Sequence, residues 1–130
     1  MSITIYHNPK CSKSRQTLKL LEEQGINPKI IEYLKNPPTP EKLKEILSLL
    51  GVSPRDLIRK KEDEYKELDL ANSRLSDEDL IGFMVKNPNL IERPIVLANG
   101  KAALGRPPEQ ILNILSQQIQ AFVKRLKTKC

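Results

Sequence analysis

Polar and apolar residues alternate over Ser2–Tyr6 (Ser-Ile-Thr-Ile-Tyr), the period of a strand with one face buried. His7-Asn8-Pro9-Lys10 breaks that alternation as a turn, and a helix is predicted to open near Cys11–Ser12. Leu18, Leu21 and Ile26 supply its apolar stripe, and Gly25 is its expected stop. A second β-branched run, Lys29–Leu34, makes residues 2–34 a β-α-β unit. Pro37-Pro38-Thr39-Pro40 interrupts the chain there. Thr39 can cap a helix with Pro40 at its first position, and Leu43, Ile46, Leu47 and Leu50 give that helix an apolar face up to Gly51.

Ser53-Pro54-Arg55-Asp56 is another capping pattern and predicts a short helix running through Leu57, Ile58 and Arg59. Ser76-Asp77-Glu78-Asp79 opens a further helix that carries Leu80, Ile81, Phe83 and Met84 and closes before Pro88. Ile95–Leu97 and Ala102–Leu104 flank Ala98-Asn99-Gly100-Lys101, and Asn-Gly suits the type I′ turn of a hairpin. Pro107-Pro108-Glu109 launches a last helix, with Ile111, Leu112, Leu115, Ile119, Phe122 and Leu126 at helical spacing. The order is β-α-β, helical insert, β-hairpin, helix. That is the thioredoxin-like α/β arrangement: a small mixed four-stranded sheet with helices on both faces. Residues 1–115 are expected to form one such domain, followed by a basic helical tail over 116–130.

Charge changes this picture little. The net +6 comes from 22 basic and 16 acidic side chains, but Lys124, Arg125, Lys127 and Lys129 sit in a tail without acids. The rest of the chain is nearly balanced. With only 4% aromatic residues, no basic surface interleaved with aromatics can be built, so a nucleic-acid binder is not expected. No apolar run approaches the ~20 residues of a membrane span, and Met1–Tyr6 has no signal-peptide pattern, which predicts a cytoplasmic protein. One histidine and two cysteines, Cys11 and Cys130, can supply neither a disulfide framework nor a structural Cys/His metal site.

The chemistry concentrates at Cys11. It stands where a strand gives way to a helix, so the first helical N–H groups and the positive end of the helix dipole face it. Lys10, Lys13 and Arg15 surround it, and His7 lies four residues upstream. These surroundings favour thiolate over thiol, with the helix terminus as the main cause and nearby cations as secondary ones. The same N–H groups can hold an oxyanion. Cys11-Ser12-Lys13-Ser14 is a one-thiol version of Cys-x-x-Cys, so an oxidised adduct needs an external thiol, most simply glutathione or a glutaredoxin. Cys130 reads as an exposed terminal thiol rather than a resolving one.

Three arginines can accompany that thiol: Arg59 in the insert, Arg93 before Pro94, and Arg106 after the hairpin. A guanidinium fork donates two parallel hydrogen bonds and stays charged, which suits a tetrahedral oxyanion. Arg93-Pro94 enters the hairpin where thioredoxin-like folds carry a cis proline beside the reactive cysteine. A cis bond there is expected, with the three guanidinium groups turned toward the sulfur around one anion-sized pocket.

Tyr6-His7-Asn8-Pro9-Lys10-Cys11-Ser12-Lys13-Ser14-Arg15, Leu57-Ile58-Arg59-Lys60, Arg93-Pro94-Ile95-Val96 and Gly105-Arg106-Pro107-Pro108-Glu109 together resemble the glutathione/glutaredoxin-coupled arsenate reductase family. The resemblance spans residues 2–115 and looks closest to a short bacterial branch. It implies that Cys11 is the nucleophile, that Arg59, Arg93 and Arg106 bind arsenate and the arsenite adduct, and that His7 and Ser14 lower the thiol pKa. It further implies arsenate as substrate, glutathione as co-substrate, glutaredoxin as partner, and no tightly bound cofactor or metal. Ser12-Lys13 departs from the smaller uncharged residues of the best-studied branch. The Cys-x5-Arg loop of phosphatase-like arsenate reductases is excluded, because Thr17 stands where the arginine would be. Two alternatives share the fold: a redox-regulatory or adaptor protein, and a glutathione-dependent thiol oxidoreductase acting on another substrate.

Overall fold

The computed structural model describes residues 2–115. The chain divides into two compact units, one built from the segments up to Ile31 and from Arg93 onward, the other from Glu32–Glu92. The second unit corresponds to the helical insert expected between the β-α-β unit and the hairpin.

In the first unit, β1 (Ile3–His7), α1 (Ser12–Glu23), β2 (Lys29–Glu32), β3 (Ile95–Ala98) and β4 (Lys101–Leu104) follow the predicted order. They build a mixed four-stranded sheet in the order β2-β1-β3-β4, the thioredoxin-like arrangement expected from the sequence. β1 and β3 are antiparallel with Tyr6 opposite Ile95, and β3 and β4 are antiparallel with Ile95 opposite Leu104. The hairpin turn has positive φ at both Asn99 (55°) and Gly100 (68°), the type I′ signature. The Asn99 amide also donates to the Ile114 carbonyl at 3.1 Å.

Ile3 and Ile5 of β1, Val96 and Ala98 of β3, Leu21 of α1, and Ile111, Ile114 and Leu115 close over one core. α1 ends as the sequence predicts: Gly25 has φ 74°, and Gly25 and Ile26 donate to the Glu22 and Leu21 carbonyls. Two expectations for this unit are corrected. β2 stops at Glu32 rather than Leu34, because the Lys35 and Asn36 N–H groups both turn back to the Glu32 carbonyl. The segment after Pro107 is a 3₁₀ helix, Pro108–Ile114, rather than an α-helix. Three residues per turn stack Ile111 over Ile114, and both are buried. Ile119, Phe122, Leu126 and the expected tail over 116–130 lie outside the described residues.

The insert is helical. α2 (Pro40–Leu50), α3 (Pro54–Leu57) and α5 (Asp77–Lys86) start at Thr39, Ser53 and Ser76, each accepting a bond from the third N–H beyond it. Ser53 with Asp56 and Ser76 with Asp79 close capping boxes. α4 (Asp63–Glu67) went unpredicted, since Asp-Glu-Tyr-Lys-Glu buries no residue and has no apolar stripe. α3 ends at Leu57, so Ile58 and Arg59 are not helical as expected. Ile58 pairs with Ile91 in an antiparallel bridge, Arg59 N–H donates to Leu90 C=O at 2.7 Å, and Glu92 N–H donates to Leu57 C=O at 2.9 Å. Tertiary pairing overrides a helix too short to resist it. Among the described residues, no helix is long and apolar enough to cross a membrane.

Gly105 marks the tightest approach in the first unit. Its N–H donates to Pro94 C=O at 2.9 Å, extending the β3/β4 ladder by one pair. A Cβ there would collide with Thr17 Oγ1 of α1 and come within 2.7 Å of Pro94 Cγ. Gly105→Ala should therefore lower stability by about 1–3 kcal/mol, the usual cost of overpacking. Urea unfolding should give a lower midpoint with an unchanged slope. An unchanged midpoint would mean that Thr17 and Pro94 yield freely.

Candidate active site

The loop His7–Cys11 is ordered by backbone and side-chain hydrogen bonds. Cys11 N–H donates to Asn8 C=O and Lys10 N–H donates to Asn8 Oδ1, both at 3.0 Å, an Asx-type turn that leads into α1. Arg15 Nη1 reaches back to Pro9 C=O at 3.0 Å. Cys11 is the N-cap of α1, with extended φ −93° and ψ 125°. Its half-buried sulfur closes no formal capping hydrogen bond. It lies close enough to the backbone N–H groups of Ser14 and Lys13 for them to stabilise the thiolate.

Arg93 and Arg106 arrive from the far end of the sequence. The Arg93–Pro94 bond is cis, as expected, and Arg106–Pro107 is cis as well. Arg106 Nε donates to Arg93 C=O at 2.7 Å while its Nη2 lies 3.7 Å from Cys11 Sγ. Arg93 donates a side-chain hydrogen bond to the same sulfur. Two guanidinium groups and two α1 N–H groups thus surround one sulfur. Opposing forces act on its proton: burial pushes the thiol up, but the Ser14 N–H, the Arg93 hydrogen bond and charge, and the Lys13 N–H together bring it below its ordinary value. The principal side-chain cation is therefore Arg93. Lys10, Lys13 and Arg15, the neighbours in sequence, do not provide it.

His7 and Ser14 are buried together at 6% and 0% exposure. Ser14 Oγ accepts from Asn8 N–H at 3.0 Å and pairs with His7 Nδ1 at 2.6 Å. Ser14 thus faces the sulfur with its backbone N–H while its hydroxyl ties α1 to the end of β1. Arg59 belongs to the insert, where its guanidinium pairs with Glu62 at 3.0 Å and Glu92 at 2.6 Å. Burial lowers its pKa, but the two carboxylates outweigh this and raise it. Sequence reading passed over Asn8, Thr17 and Gly105. Asn-Pro after a strand was the available signal for the first, and only packing reveals the other two. Among the described residues, no cluster of His, Cys, Asp and Glu could hold a metal ion.

The thiol's environment can be titrated. In a Cys130→Ser background, iodoacetamide labelling of Cys11 should show a midpoint below the ordinary 9.0. Arg93→Gln should move it upward, because a group that favours the anion is lost. Since the folded value lies below the unfolded one, ionised Cys11 stabilises the fold above pH 9.0, and that contribution is lost as pH falls through the folded value. A wild-type midpoint at or above 9.0 would remove the activated thiolate.

The ArsC family model matches residues 6–114, which include the Cys11 loop, Arg59, Arg93 and Arg106. The uncharacterized protein YfgD of Escherichia coli (strain K12) is 58% identical over 114 residues, covering 87% of this chain and 96% of that protein. An arsenate reductase of Neisseria meningitidis is 52% identical over 114 residues, covering 87% of this chain and 97% of its own. The solved structure of an arsenate reductase from Vibrio cholerae superposes with a TM-score of 0.86 at 57% identity, covering 88% of this chain and 98% of the other. With a family match across both compact units and relatives matched over nearly their whole length, the chain belongs to the ArsC family.

Proposed function

We propose that this protein is an arsenate reductase with Cys11 as nucleophile, glutathione as co-substrate and glutaredoxin as electron carrier. The observation that carries the reading is the convergence of Arg93 and Arg106 on the Cys11 sulfur. An activated thiolate flanked by two guanidinium forks suits a tetrahedral oxyanion electrophile better than a neutral disulfide.

In this mechanism the arsenate oxygens accept from Arg93, Arg106 and the α1 N–H groups. The Cys11 thiolate attacks arsenic, forming a sulfur–arsenic bond while one protonated oxygen leaves as water. Glutathione replaces a second oxygen, again releasing water. A glutaredoxin thiolate then attacks the glutathione sulfur. The electron pair of the arsenic–glutathione bond stays on arsenic, which falls from As(V) to As(III), and a glutaredoxin–glutathione disulfide forms. Water displaces arsenite from Cys11 and the thiol is restored. The arginines act electrostatically, by sitting where the adduct's negative charge develops.

Purified protein supplied with arsenate, glutathione and glutaredoxin should produce arsenite. Cys11→Ser should abolish turnover and Cys130→Ser should leave it near normal. Arg93→Ala or Arg106→Ala should lower kcat/KM on the order of 10²-fold, as removal of one oxyanion donor does. Equal loss in both cysteine variants would overturn the single-thiol scheme and point to an intramolecular disulfide. No arsenite from the wild type would overturn the assignment itself.

A further inference from the structure

We propose that Asn8 is a positioning residue for the Cys11 nucleophile, holding the loop between β1 and α1 so that the sulfur meets the backbone N–H groups of the first helical turn. Asn8 is 7% exposed, although it sits in a polar turn between a strand and a helix. Three of its groups tie the same short segment. Its N–H donates to Ser14 Oγ, its C=O accepts from Cys11 N–H, and its Oδ1 accepts from Lys10 N–H, each at 3.0 Å. The first bond fixes the loop to α1 and the other two fix the residues that carry the thiol.

Only the Oδ1 bond depends on side-chain identity. Asparagine is suited to it, since its short carbonyl reaches the N–H two residues ahead. Without that acceptor the Lys10 peptide is released, and Lys10 is bonded directly to Cys11. The extended backbone at Cys11 that aims its sulfur toward Ser14 and Lys13 N–H then loses one of its restraints. Pro9 keeps its own φ and Arg15 still holds the Pro9 carbonyl, so the loop should loosen locally rather than unfold.

The inference rests on Cys11 being the nucleophile, and its test can proceed without arsenate. Asn8→Ala and Asn8→Ser would be made in the Cys130→Ser background. Each would be assayed for iodoacetamide labelling against pH, arsenate turnover and urea stability. Asn8→Ala should raise the labelling midpoint and lower kcat/KM roughly fivefold to tenfold, the effect of losing about one hydrogen bond's worth of alignment. Asn8→Ser should fall between Ala and the parent, because a hydroxyl makes the same local bond more weakly. A folded Asn8→Ala with the parent's midpoint would overturn the proposal and leave Asn8 a structural residue. If Asn8→Ala fails to fold, Asn8→Ser decides: a midpoint raised above the parent's supports the role and a parental one overturns it. A protein inactive on arsenate would still give this labelling result, so failure of the functional reading and failure of the Asn8 proposal are told apart.

Discussion

The antiparallel register of β1, β3 and β4 is the constraint on which the site depends. Tyr6 opposite Ile95, and Ile95 opposite Leu104, bring the end of β1, the start of β3 and the end of β4 to one end of the sheet. Each of those ends then emits a functional segment: the Cys11 loop, Arg93–Pro94 and Gly105–Arg106. Arginines remote from Cys11 in sequence thereby become its neighbours. A one-residue slip would reverse the faces of Ile3, Ile5, Val96 and Ala98, so the core that buries them also enforces the register. Core packing and site geometry are in this sense one requirement.

A helix N-terminus alone would favour a thiolate, but here burial works against it. The Ser14 N–H of that terminus, the hydrogen bond and charge of Arg93, and the Lys13 N–H together outweigh burial. Arg106 braces Arg93 through its carbonyl and reaches the sulfur with another nitrogen of the same guanidinium. The planar fork makes this double duty possible, whereas a lysine could supply charge without the fixed second contact. The two arginines therefore form a bracket around the sulfur. Gly105 lets the bracket close against α1, because any side chain at that position would meet Thr17 and Pro94.

Much of this was legible in sequence. Caps at Thr39, Ser53 and Ser76, the Gly25 stop and the Asn99-Gly100 turn all have local causes, and all appear where composition places them. Cys11 at the strand-to-helix junction was equally readable. Two of the misses share one physical origin, which is nonlocal pairing. Ile58 and Arg59 leave the helix to join Ile91 and Leu90, and Ile111 and Ile114 tighten into a 3₁₀ turn to meet the core. Lys10, Lys13 and Arg15 are the cations nearest Cys11 in sequence, yet the one that acts on the thiol, Arg93, follows the insert. Asn8 was visible only as a turn residue, since its burial is a property of the folded loop.

Arg59 is bound into the insert by its own ion pairs. Its guanidinium bridges Glu62 and Glu92 in the insert, and all three side chains are at most about a quarter exposed. The bridge coincides with the Ile58–Ile91 pairing, so the ions and the backbone hold the same two segments. Removing the arginine would break two partly buried ion pairs at once, a larger change than losing one exposed surface pair. Glu92 sharpens the point, for it precedes Arg93 directly. One peptide bond separates a residue that fastens the insert from the residue that holds the thiolate. A loss of activity on substituting Arg59 is thus evidence about substrate binding only when the insert's stability is measured alongside it.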